Sequence, residues 1–405
     1  MATRTWTGNA TAVGQVSTAT PVAANSAVYT LTINGKTVSY TADASATVAE
    51  ITAALTTAWN ASEDGEFEEV TATDSTTYVT LTADEDGVPF TVIGSTSGGG
   101  SLTVATTTTA TGPNYFTNAN NWAELTVPVS GDDVVFDRGS VGLYYGLTQS
   151  AITLTSLTHY QTYTGNVGLP TYNTSGDYAE YRDQYLAIGA TTVVYGLGTG
   201  TGSARFKLDT GSVQTAITVQ NTGSSAENGV PAFLFKGTHA SNALRANKGT
   251  VGVAVLSGEI ATVTDLQVSA ATVSLGTAVT LATIVQSGGS LLVQSGTTSL
   301  TLTAGELTVL GGNHTALTVR GQGTCKYGGT VTVTTLSVRG GGSVLYTIDL
   351  RTRTVTTCYI YKGATLRDPN SRTTFTNGIN FRECDVNEVT VELGKHRNLV
   401  ITTAA

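Results

Sequence analysis

The sequence predicts a mainly β protein: a β-solenoid (β-helix) preceded by a small α+β domain with one helix. Three observations predict it. The first is composition. Only 12% of the 405 residues are charged, about half the usual share, and Thr, Ser, Gly, Ala and Val take their place. Thr and Val are stiff at χ1 and suit pleated, half-buried surfaces. Forty-six Gly against seven Pro indicate many tight turns. The second is an internal repeat of 16 to 21 residues late in the chain. The third is a single capped helix beside an Asn-Gly hairpin near the start.

The repeat reads as a small residue, any residue, then two apolar residues separated by one. Its first apolar positions are Val273, Leu291, Leu307, Cys325 and Val344, with the last rung aligned on Thr365. A second series lies between them: Leu266-x-Val268, Leu281 to Ile284, Leu300-x-Leu302, Leu317-x-Val319, Leu336-x-Val338 and Cys358-x-Ile360. Such a period suits one turn of a β-helix and is too short for a propeller blade. Alternation within each strand sends one side chain inward and the next outward. Leu291, Leu307, Cys325 and Val344 are therefore core residues, and Thr308 faces out. Gly and Ser-Gly pairs mark the corners. Calcium-binding nonapeptide repeats do not occur. The solenoid is assigned to 141–366. Its earlier half is less regular, with strands at Ile152-x-Leu154, Leu186-x-Ile188, Phe206-x-Leu208, Ile217-x-Val219 and Phe233-x-Phe235. Tyr160 to Tyr185 reads as an excursion, whose tyrosines suit a sugar, a protein partner or a neighbouring subunit.

Residues 1–24 read as an N-terminal arm that becomes ordered against a neighbour or against the rest of the chain, with a floppy tail as the alternative. The small α+β domain plus linker spans 25–112. Val28 to Ile33 alternates, Asn34-Gly35 follows, and Lys36 to Tyr40 returns, which is a hairpin signal. Thr47-x-x-Glu50 fits a capping box at the start of a helix over 47–60. Val48, Ile51, Leu55 and Trp59 share one face of it, so Trp59 is a core residue. Strands are expected at Phe67 to Thr73, Tyr78 to Thr82 and Pro89 to Ile93, and a linker with one edge strand, around Leu102 to Val104, over 94–112. Asp84-Glu85-Asp86-Gly87 has the chemistry of a calcium loop, but it is too short for an EF-hand and reads as an acidic turn. Residues 113–140 are an aromatic cap segment. It runs from Asn114-Tyr115-Phe116 through Asn120-Asn121-Trp122 to Gly131-Asp132-Asp133-Val134, and its aromatics would plug the first rung. After 366 charge rises, through Arg367, Asp368, Arg372, Arg382, Glu383 and Asp385, and a C-terminal cap or assembly region is expected over 367–405.

Few residues suggest chemistry. A net charge of −9 argues against nucleic-acid binding. No apolar run is long enough to span a membrane, and the first residues lack a secretory pattern, so assembly in a cytoplasm is expected. The four His, at 159, 239, 314 and 396, share no metal-binding spacing. The three Cys, at 325, 358 and 384, read as buried free thiols. Gly196-x-Gly198-x-Gly200 opens no helix and is not a nucleotide loop. Paired carboxylates could cleave a polysaccharide. The candidates are Asp177, Glu180, Asp183, Asp209, Glu259 and Glu306, with solvated surface acids as the plainer reading. No cofactor, metal or catalytic residue is expected.

Two segments carry a resemblance. The module with Tyr29-Thr30-Leu31-Thr32-Ile33-Asn34-Gly35-Lys36 and the capped helix resembles small modules of tailed-phage and prophage-encoded virion proteins. The run from Asn121-Trp122 through Pro128 to Gly131-Asp132-Asp133-Val134 resembles the entry segment of β-helical surface proteins, adhesins among them. The resemblance implies a virion structural protein, a capsid-decorating fibre or tail spike, that is a homotrimer contacting other virion proteins, with a host surface glycan as a further candidate partner. A bacterial surface adhesin and a glycan-degrading tailspike enzyme are the alternatives.

Overall fold

A computed structural model describes residues 2–173, 175–200, 204–225, 227–395 and 400–404. The protein is mainly β, with two α-helices among the described residues. Among the described residues no helix is long and apolar enough to cross a membrane.

The small domain comes from two antiparallel sheets and helix α1 (Val48–Asn60). One sheet has the order Val70–Asp74, Val79–Ala83, Val16–Val22, Ser101–Thr108. The other has the order Lys36–Thr41, Val28–Ile33, Val92–Ser97. The hairpin turn is as expected, with Asn34 and Gly35 both at positive φ. Thr47 caps α1 by accepting from the Glu50 N–H at 3.2 Å. The capping box is only half made, because the Glu50 carboxylate accepts from the Tyr40 hydroxyl instead. Ile51, Leu55 and Trp59 are buried, while Val48 at the helix entrance is half-buried. Trp59 donates to the Val70 carbonyl at 2.6 Å and meets the Phe67 ring edge-on.

Several boundaries differ from the expectation. Residues 1–24 order against the rest of the chain: Thr3–Thr5 joins the large sheet, and Val16–Val22 is an inner strand of the small domain, which therefore begins before residue 25. The expected linker contains Ser101–Thr108, whose Thr run pairs with Val16–Val22. Phe67 lies in a second short helix, α2 (Gly65–Glu68), not in a strand. A Thr-rich stretch carries too little apolar contrast for its alternation to show, so these strands form through a partner distant in sequence.

All other strands belong to one large sheet, paired wholly in parallel and closed on itself. Inward residues stack in register from strand to strand. One stack runs Val134, Leu157, Val193, Ile217, Leu244, Leu266, Ile284, Leu300, Leu317, Leu336, Cys358 and Ile379, and ends on the exposed Ile401. A second runs Phe206, Phe233, Val251, Val273, Leu291, Leu307, Cys325, Val344, Leu366 and Val391. The two expected series are thus true hydrogen-bonded neighbours up to Val344. There the alignment slips by one: Leu366, not Thr365, pairs with Val344. Leu291, Leu307, Cys325 and Val344 are fully buried, and Thr308 is not.

Two further boundaries shift. Pairing continues past 366 through Ile379–Arg382, Thr390–Glu392 and Ile401–Ala404. Charges at this end bridge neighbouring strands, as in Arg367 with Glu392 at 2.7 Å. The aromatic segment also supplies a strand, Asp133–Phe136, which pairs with Thr3–Thr5 on one side and Thr148–Tyr160 on the other. Trp122 packs edge-on against Trp6 at 5.2 Å and Phe116 at 5.1 Å, and donates to the Phe116 carbonyl. Asp132 accepts from Arg4 Nε at 2.9 Å and the Ala2 N–H at 3.0 Å, which tethers the chain start. Asp133 accepts from the Ser156 hydroxyl at 2.5 Å. Trp6 and Arg4 are the partners that sequence reading left unassigned, since they lie over a hundred residues away.

Candidate functional site

One concave surface follows from the pleat. Leu186, Leu208 and Phe235 are successive partners and point into the core. The next residue on each strand, Ala187, Asp209 and Lys236, is also in register and so faces outward. Thr148 pairs with Ala187 and extends the row. The segment before Leu186 lays Asp183 and Tyr185 along one wall, and the loop containing Leu256 and Glu259 forms the other. Together they line a cavity of about 580 Å³. Adjoining hollows share its residues at both ends. One reaches Tyr115, Tyr144 and Tyr145 past Thr148 and Asp183. The other continues past Asp209, Lys236 and Glu259 to Ile260. The result is one elongated groove.

Tyr185 is its centre. The side chain is 8% exposed, and its hydroxyl is out of solvent beside Glu259. Burial, with Glu259 adding to it, pushes the hydroxyl pKa up, so it stays protonated. Lys236 Nζ lies 4.4 Å from the ring centroid and 3.6 Å from Asp209. Glu259 accepts from the Leu256 N–H at 3.0 Å, and Asp183 from the Thr148 hydroxyl at 2.5 Å. Each leaves carboxylate lone pairs over.

Below the groove lies an ionic cluster. Lys207 is fully buried, donates to Gln184 Oε1 at 3.1 Å and stands 3.7 Å from Glu227. Burial pushes its pKa down to about 8, against the opposing pull of Glu227. Arg205 donates to the Gly168 carbonyl at 2.7 Å and lies 3.9 Å from the same Glu227. Nothing marked this cluster in the sequence, because its members come from three separate segments.

Of the six acids singled out, the structure gathers Asp183, Asp209 and Glu259 in the groove. Glu180 is buried and bound to Arg182 at 2.8 Å. Asp177 is exposed nearby, and Glu306 pairs with Lys326 on a later strand at 2.7 Å. The other tyrosines of the excursion mostly turn inward. Tyr163 and Tyr178 are buried, and Tyr181 packs on the core of the small domain, whereas Tyr172 is exposed. The excursion therefore docks this chain's own small domain on its larger sheet. A second cavity, of about 590 Å³, lies at that junction and takes in Glu85, Asp86 and Gly87 of the acidic turn. Cys325 and Cys358 are buried free thiols, but Cys384 is half-exposed. His159 and His314 are buried, His239 is half-buried, and His396 lies outside the described residues. Among the described residues no three His, Cys, Asp or Glu gather to hold a metal ion.

No protein-family model matches this chain, and no curated protein matches it.

Proposed function

We propose that the parallel sheet is a β-solenoid and that the protein is a structural element of a tailed-phage virion. In this reading the N-terminal part attaches to the particle and the solenoid projects as a capsid decoration, fibre or spike. The observation that carries the reading is the unbroken stack from Val134 to Ile401. Thirteen stacked positions at ~4.8 Å correspond to a rod about 60 Å long. Such a rod is a spacer: the two inward stacks traced above are apolar, and its outward residues carry little charge. The aromatic plug of Trp6, Phe116 and Trp122 closes its first turn, as a stack of this kind requires. The expected assembly is a homotrimer.

Light scattering and negative-stain imaging of the purified protein test this. The expected mass is three times the chain's 41.6 kDa, with a projecting rod. A monomeric mass overturns the trimer, and a globular outline overturns the rod.

A further inference from the structure

We propose that two adjoining, charge-free faces of the solenoid form the surface through which copies of this chain pack side by side. This contact rests on the rod and trimer reading above and supplies the surface that reading leaves open. The strands define the two faces. Inward and outward residues alternate along each turn, and the alternation breaks where two successive residues face out, as at Ala282-Thr283, Thr315-Ala316 and Thr334-Thr335. Each break is a corner between a first face and a second. On the first face Thr332, Thr354 and Thr374 are successive partners and point out. On the second, two outward rows stack in register. One is Thr283, Ser299, Ala316 and Thr335, and the other is Val285, Thr301, Thr318 and Ser337.

Charge is segregated away from both. Between Leu266 and Cys358 neither face carries a charged side chain outward. Glu306 and Lys326 pair on the third face at 2.7 Å. Arg320 and Arg339 follow Val319 and Val338, the last inward residues of the second face, and so stand at the corner leading to the third. Asp349 and Arg351 pair on a loop at the remaining corner, and Arg353 is buried. A surface kept in water ordinarily carries about a quarter to a third charged residues. Open sheets use such charges to hold other strands off. Two adjoining faces without any are built for contact.

The occupant is another copy of the chain. A chain of net charge −9 repels its own copies, so they approach where charge is absent. A highly charged partner would find nothing on these faces to pair with. Faces on either side of one corner let a copy meet two neighbours, the first face of one against the second face of the next. Head-to-tail contacts of that kind close into a ring. A surface about six residues wide and about five strand spacings long measures about 20 by 24 Å, or about 500 Å² per copy. A pair then buries about 1,000 Å², enough for a specific interface.

The test is light scattering on the intact protein at about 10 μM, where a complex of micromolar affinity is assembled. Val285→Glu and Thr318→Glu on the second face, and Thr332→Glu on the first, are each expected to weaken association by roughly tenfold or more, because the added carboxylate is trapped without a counter-charge. Thr308→Glu, paired with Lys326 on the third face, is expected to leave the mass unaltered. Circular dichroism verifies that each variant keeps its strands. Hydroxyl-radical footprinting of the wild-type protein needs no substitution. Val285 is 40% exposed in the single chain and is expected to be protected in the assembly, while Ile93 of the small domain, 62% exposed, reacts. A wild-type trimer whose mass survives all three face substitutions, or in which Val285 reacts in proportion to its single-chain exposure, overturns this surface and leaves the trimer standing. A wild-type dimer that the face substitutions dissociate supports the surface and overturns the trimer. A wild-type monomer overturns both.

Discussion

His159 packs among rings with both of its nitrogens unpaired. It stacks on Tyr195 at 4.3 Å and meets Tyr163 and Phe206 edge-on. Burial pulls its pKa down from 6.5 to about 3. The folded state therefore disfavours the proton that the unfolded chain accepts. Stability is fully present above pH 6.5 and falls as the pH drops from there towards 3, by on the order of 4 kcal/mol. His159→Phe should flatten that part of the profile, which thermal melts between pH 7 and pH 4 will show. An equal acid loss in the variant would assign the sensitivity to other groups. The sequence named His159 only as a histidine without a metal partner. Its actual surroundings come from residues 36 and 47 positions further on, Tyr195 and Phe206, which is why no local pattern disclosed them.

At the scale of the element, the corners decide the register. Gly305 has φ +88°, and an added Cβ would stand 2.4 Å from the Gly289 carbonyl oxygen on the neighbouring strand. Gly305→Ala should therefore cost about 1–3 kcal/mol. Gly340, with an ordinary φ and its nearest neighbour at 3.4 Å, should accept Ala with little effect. Urea denaturation of the pair checks this, and equal costs would show that the corner is not the constraint. The apolar pairs of this region were legible because they recur locally at a near-regular spacing. The slip from Thr365 to Leu366 was not, because an extra residue in a loop shifts the register without altering the alternation. Val16–Val22 was missed, and the extent of Ser101–Thr108 was, for a different reason. Their Thr-rich sequences show no contrast until the partner strand is known.

At the scale of the whole molecule, Arg182 couples the two bodies. Its Nε and Nη2 donate to Glu180 at 2.8 and 2.9 Å, and Nη1 reaches the Pro89 carbonyl at 3.3 Å and Glu69 at 3.6 Å, both in the small domain. Arg182→Ala leaves Glu180 buried and uncompensated, a loss of about 3–5 kcal/mol. Calorimetry should resolve a separate, earlier transition for the small domain in the variant. A single transition lowered as a whole would mean that the domains do not melt independently. This coupling explains why the Tyr-rich excursion exists, a role the sequence left open between ligand, partner and subunit contact.

The sequence by itself determined the β character, the Asn-Gly hairpin, the capped helix with Trp59 inward, and the core positions Leu291, Leu307, Cys325 and Val344. Each rests on a short-range period that the backbone imposes on any chain. Only the tertiary structure decided that the first residues close the large sheet through Trp6 and Arg4, and that the excursion clasps the small domain. It alone drew Asp183, Tyr185, Asp209, Lys236 and Glu259 into one groove. Those arrangements depend on which strands become neighbours, and parallel pairing joins residues tens to over a hundred positions apart.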